Sequence, residues 1–198
     1  MGSLQTLSEA DRRIVAVWAA DCAERVLGLF EAEAPGDRRP RDAIARLRAF
    51  SRDEIGVAEA RRRFVAHAAA REVSAPAAVA AARAVGQAAS IPHMGAHGLG
   101  AAAYAAKAVG LAAPDRPEAV SEEIRWQLGR MSAAARAALR QLPPAGENSS
   151  GPLGPGLLAS GLLGTIIRDL QASLGDPGYA LPPQRGDEIG AREPAYRG

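Results

Sequence analysis

A chain of 198 residues is long enough for one domain and marginal for two, and 46 of its residues are alanine, the strongest helix former. Larger apolar side chains are few, so the composition predicts an all-α protein with a thin, closely packed core. The 24 basic and 22 acidic side chains nearly cancel to a net charge of +2, with Lys107 the only lysine, which argues against an electrostatic nucleic-acid binder. The single Cys22 excludes an intrachain disulfide and a cysteine-rich metal cluster. Asp11, Arg12 and Arg13 precede only a short apolar run, so no signal peptide is read. The stretch from Gly156 to Ile167 is too short to span a bilayer. The default expectation is a cytoplasmic protein with no membrane partner, no metal and no cofactor.

In chain order, Ser8 with Glu9 and Asp11 predicts a helix start, and the helix runs to about Ala34 before Pro35-Gly36. A second, short helix covers Arg41 to Phe50, with Pro40 in its first turn. Ser51-Arg52-Asp53-Glu54 matches a capping box and opens a third helix to about Val73. Ser74-Ala75-Pro76 opens a fourth, ending near Ser90, and Pro92 breaks the chain. A fifth helix runs from His93 to Ala112. A sixth starts at Asp115-Arg116-Pro117 and ends at Leu142. Residues 143–156 hold four prolines and four glycines and read as a linker. A C-terminal helix follows at 157–174, with Leu163, Ile167, Leu170 and Leu174 on one face. That face is too apolar to leave in water, so it docks on the bundle or on a second copy in a homodimer. The rest, 175–198, reads as a flexible tail. The expected organisation is an alanine-rich helical domain, 1–142, of about six helices in one bundle, plus the C-terminal helix.

Polar groups on apolar faces mark the candidate sites. On the first helix Ile14, Val15, Trp18, Cys22, Val26 and Leu29 form one arc; Arg25 falls inside it and Asp21 at its edge. A buried arginine needs a partner, so Arg25 pairs with Asp21 or bridges to another helix. Arg71 shares the face of Val57, Phe64 and Ala68, with His67 four residues before it. His93, His97 and Tyr104 stack on one stripe of the fifth helix among Gly95, Gly98 and Gly100. Imidazole and phenol there suit acid/base work or ligand orientation. The candidate catalytic set is therefore His93, His97, Tyr104 and Asp21, with Arg25, Trp18, His67 and Arg71 as ligand-binding groups. Two histidines four apart are also half of a metal site, but H-E-x-x-H is absent. The plainer reading is a polar stripe satisfied across the bundle. Gly98-Leu99-Gly100 followed by Ala103 imitates a dinucleotide fingerprint, yet no strand precedes it. Trp126 lies opposite the Val120, Ile124, Leu128, Met131 stripe, as a second core contact or as an exposed anchor.

Several runs together resemble a known bacterial family. They are Asp11-Arg12-Arg13 with Trp18 to Leu27, Pro35 to Arg41 with Ala43-Ile44, Ala66 to Arg71, and His93 with His97 to Ala105. From about Asp11 to Leu142 the chain resembles the putative immunity proteins of polymorphic toxin systems, whose members often carry an exonuclease label. The resemblance implies an all-helical domain and a toxin-neutralising role, and it brings no catalytic residues. Pro92 and the segment after Pro143 depart from it. Two functions follow as expectations. One is an immunity-type protein that neutralises a toxin or binds another protein partner. The other is an enzyme or small-molecule binder using a polar pocket in the bundle.

Overall fold

The computed structural model describes residues 3–60 and 66–175, with the side chains of Ala66 and His67 also outside the described set. The described residues form an all-α bundle without a strand. The first helix, α1 (Glu9–Glu31), begins where the sequence predicts. The Ser8 hydroxyl accepts from the Asp11 N–H at 3.0 Å, and Glu9 and Asp11 put negative charge in the first turn. Pro40 sits in the first turn of α2 (Arg39–Ser51), where a missing N–H breaks no bond. Two single turns follow, α3 (Val57–Ala60) and α4 (Ala66–Ala69). Then come α5 (Pro76–Ser90), α6 (His97–Ala112), α7 (Ala119–Arg130), α8 (Ala133–Leu139) and α9 (Gly161–Leu174).

The centre of the bundle is α6. Every residue from Gly98 to Ala106 is buried, and α1, α5, α7 and α9 all pack against it. A helix apolar on all sides is stable only when surrounded. Its small side chains let the neighbours approach: a Cβ added at Gly98 would lie 2.6 Å from Val15 Cγ1. Alanine content thus becomes close helix packing rather than a large-residue core.

The C-terminal helix begins at Gly161 rather than 157, after a 3-10 turn over Leu157–Ala159. Other boundaries differ from the sequence reading for local reasons. Ser51 closes α2 instead of opening a third helix. Its hydroxyl donates back to the Arg48 carbonyl, Asp53 takes a left-handed φ of 63°, and Glu54 pairs with Arg52 rather than capping. The predicted third helix appears as α3 and α4, with residues 61–65 between them outside the described set. The predicted sixth helix is divided, because Met131 turns extended and Ser132 caps α8 by accepting from the Ala135 N–H at 3.1 Å. The His93 helix starts only at His97, since residues 91–96 form turns after Pro92.

The Pro/Gly segment packs against the bundle. Leu153 is fully buried, the Gly146 N–H donates to the Leu153 carbonyl at 2.8 Å, and Gln171 of α9 bonds both Ala145 and Pro143. The apolar face of α9 is covered within the same chain, against α6, by Leu163, Ile166, Ile167, Leu170 and Leu174. Leu162, next to that face, is about half exposed. The predicted tail beyond Gly175 lies outside the described residues.

One acid in the turn after α1 holds the start of α5. The Glu33 carboxylate accepts from the Ser74 N–H at 2.6 Å, the Ala75 N–H at 3.0 Å and the Ser74 hydroxyl at 3.0 Å. The Ser74 backbone bond is the main reason its pKa lies below the ordinary carboxylate value, with the Ala75 bond and the Ser74 hydroxyl adding to it. A lowered pKa means that the fold favours the ionised form. The stabilisation is present above the ordinary carboxylate pKa and is lost as pH falls through the folded value. Glu33→Gln is therefore expected to lower Tm at neutral pH, and the gap from the native chain should close in acid. Thermal unfolding followed across pH checks this.

Candidate functional site

Two places gather the polar residues singled out by sequence. The first is a face shared by α1, α2 and α7. Arg25 projects from α1, and its Nε donates to Glu123 Oε2 of α7 at 2.7 Å. Its guanidinium lies 4.2 Å from the ring centroid of Trp126, also on α7. The expected pair of Asp21 with Arg25 does not form; Asp21 instead accepts from Arg48 of α2 at 3.0 Å and from Arg130 of α7 at 3.3 Å. Arg48 also pairs with Glu24. Nor is Arg25 buried: its side chain is 45% exposed, while that of Glu123 is 1% exposed. The long arginine side chain leaves the apolar arc and reaches α7, so the buried charge belongs to the carboxylate.

Beneath this face the polar core is well connected. Glu123 Oε1 accepts from Gln127 Nε2 at 3.1 Å, and the same amide donates to the Ala102 carbonyl of α6. Trp18, predicted as a ligand-binding group, is a core residue. Its Nε1 donates at 2.8 Å to the Gln127 carbonyl, one of the last carbonyls of α7 that no intrahelical N–H can reach. Cys22 is fully buried, and burial, with Glu123 and Asp21 nearby, pushes its thiol pKa well up. It is a packing group, not a thiolate nucleophile. Solvent-facing residues complete the α1 face: Val17 is 46% exposed one turn before Asp21, and Gly28 has open space where a Cβ would be.

The second place is a groove of about 300 Å³ between α5, α6 and the segment 151–158. Gln87, His97 and Tyr104 form its polar wall, and Pro152, Leu157 and Leu158 its apolar one. His97 Nδ1 lies 2.7 Å from Gln87 Oε1. His93 is not among the walls; its ring is tilted 53° against that of His97, with centroids 5.2 Å apart. The expectation of three groups on one helical stripe therefore holds only for His97 and Tyr104. The turn that displaces His93 also engages the N–H groups at the helix start. The first N–H groups of α6 bond back to Met94, Gly95 and Ala96, and those of Gly95 and Ala96 donate to Thr6 and Gln5.

The remaining candidates stay apart from both places. Arg71 is exposed in the turn after α4 rather than on the face of a continuous helix. The side chain of His67 and the position of Phe64 lie outside the described residues. Among the described residues no three His, Cys, Asp or Glu side chains gather to hold a metal ion, and no helix is long and apolar enough to cross a membrane.

A family model described as Imm-5 like putative immunity protein matches residues 5–134. The chain belongs to that family. The match contains Arg25, Trp126 and the whole α1/α2/α7 face, together with Gln87, His97 and Tyr104. It ends inside α8, so the segment 151–158 that walls the groove, and α9, lie beyond it. No curated protein and no solved structure matches the chain.

Sequence reasoning missed Arg48, Arg130, Glu123 and Gln127 on or under the α1/α7 face, and Gln87 in the groove. A signal existed for the α7 pair. Glu123 and Gln127 follow Ala119 at spacings of four, so all three lie on one helical face between the apolar residues. Nothing local marks Gln87, whose role depends on how α5 lies beside α6.

Proposed function

We propose that this chain is an immunity protein that neutralises a protein toxin in the cytoplasm, and that it grips the toxin through the α1/α7 face around Arg25 and Trp126. Family membership supports the kind of partner. The observation that carries the location is the Arg25–Trp126 stack, held from below by Glu123. Tryptophan and arginine are the residues that most often dominate binding energy at protein interfaces. Here both are set in place before any partner arrives, which reduces the ordering cost of association. Around them Asp21, Glu24 and Arg130 provide alternating charge for orientation and selectivity. Val17 and the bare backbone at Gly28 leave room for close approach along α1.

The test is rescue of growth. The full chain is co-produced in a bacterial host with the product of its neighbouring gene. The reading expects that product to arrest growth, the native chain to restore it, and Trp126→Ala or Arg130→Glu to lose protection while circular dichroism stays helical. A neighbouring product without toxicity, or an arrest that the chain does not relieve, contradicts the reading.

A further inference from the structure

We propose that the groove between α5, α6 and residues 151–158 binds a small uncharged molecule carrying a carbonyl oxygen. The inference does not depend on toxin binding, because it uses a different face. Tyr104 carries it. This residue is 3% exposed and lines the groove; among the described residues its hydroxyl makes no hydrogen bond, and it reaches solvent, so it is available to a ligand there. Gln87 supplies a second donor. An amide oxygen can only accept, so the 2.7 Å contact places a proton on His97 Nδ1 and commits Gln87 Oε1. Its Nε2, which makes no hydrogen bond among the described residues, remains to donate. Two donors in one groove suit the two lone pairs of a carbonyl oxygen.

The other walls set the class of molecule. Among the described residues no carboxylate, ammonium or guanidinium lines the groove, so a charged ligand would be desolvated without one of these as its counter-charge. Leu157 is 62% exposed at the groove, and an apolar occupant would cover it together with Leu158. A volume of about 300 Å³ lies at the small end of ligand sites. The groove is also built in advance. A Cβ at Gly100 would lie 2.6 Å from Gln87 Oε1 and 3.0 Å from Leu158 Cδ1, so glycine there lets both walls close in. The 151–158 segment is fastened by buried Gln5, which donates to the Ser150 carbonyl at 2.6 Å and accepts from the Leu153 N–H at 2.9 Å.

The probe is ε-caprolactam, a compact neutral amide, and the charged control is hexanoate, of equal carbon number. The full chain, labelled in its histidine and tyrosine rings, is titrated by NMR. The expected result is a saturable shift of the His97 and Tyr104 signals with caprolactam in the millimolar range and none with hexanoate. Tyr104→Phe should weaken binding at least tenfold. Leu157→Arg, a change at an exposed wall position, should weaken it with the fold intact, so the test survives if Tyr104→Phe fails to fold. Absence of a saturable shift, equal binding of hexanoate, or undiminished binding by a folded Tyr104→Phe or Leu157→Arg overturns the proposal.

Discussion

Replacing Ile167 with alanine is expected to cost ~2–5 kcal/mol of folding stability, read as a lower denaturant midpoint. Ile167 has no solvent exposure, and it lies with Leu163, Ile166, Leu170 and Leu174 on the face by which α9 covers α6. Because α6 is apolar on all sides, its α9-facing side depends on that cover. Leu153, fully buried in the preceding segment, adds to the same packing. Truncation after Leu142 should therefore cost more than the single substitution, even though the family match already ends at 134. A truncated chain as stable as the native one would show that the extension is an ornament on a self-sufficient bundle.

The second large effect is expected at Arg25. Glu123 is buried, and Arg25 is the cation that answers it. Removing one partner of a fully buried pair costs ~3–5 kcal/mol, because the other charge is stranded. Arg25 itself is nearly half exposed, so water approaches the pair and the expected loss for Arg25→Met is smaller, ~2–3 kcal/mol. Adding Glu123→Gln removes the stranded charge while keeping an oxygen that can accept from Gln127. The double variant should therefore recover part of the loss, a coupling that a double-mutant cycle measures. If Arg25→Met costs no more than ~0.5 kcal/mol, the size of a surface change, Glu123 does not depend on it.

The helices were legible because their signals are local. Ser8, Pro40 and Pro76 mark starts, and alanine content with helical spacing marks the interiors. Boundaries failed where two local signals compete. Ser51 can cap a following helix or close the preceding one, and the hydroxyl bond to Arg48 decided it. At Ser132 the apolar stripe continues through Met131 and masks the cap, although the backbone does not continue the helix. The site was legible only in part. Helical spacing identified Arg25, His97 and Tyr104 as polar groups beside apolar faces, but it cannot say how far a long side chain reaches. Arg25 therefore looked buried, paired with Asp21 or bridging to another helix; it is half exposed, bridges to Glu123 of α7, and leaves Asp21 to Arg48 and Arg130. Gln5 fastening the 150–153 segment spans nearly the whole chain, and no spacing rule carries that far.

The most direct test of the proposed role is hydrogen-exchange protection of the full chain with and without the purified product of the neighbouring gene. The face proposed here predicts new protection around Asp21 to Gly28 of α1 and Trp126 to Arg130 of α7, weakened together with affinity in Arg130→Glu. Protection confined to other helices, with 21–28 and 126–130 exchanging as in the free chain, would contradict it.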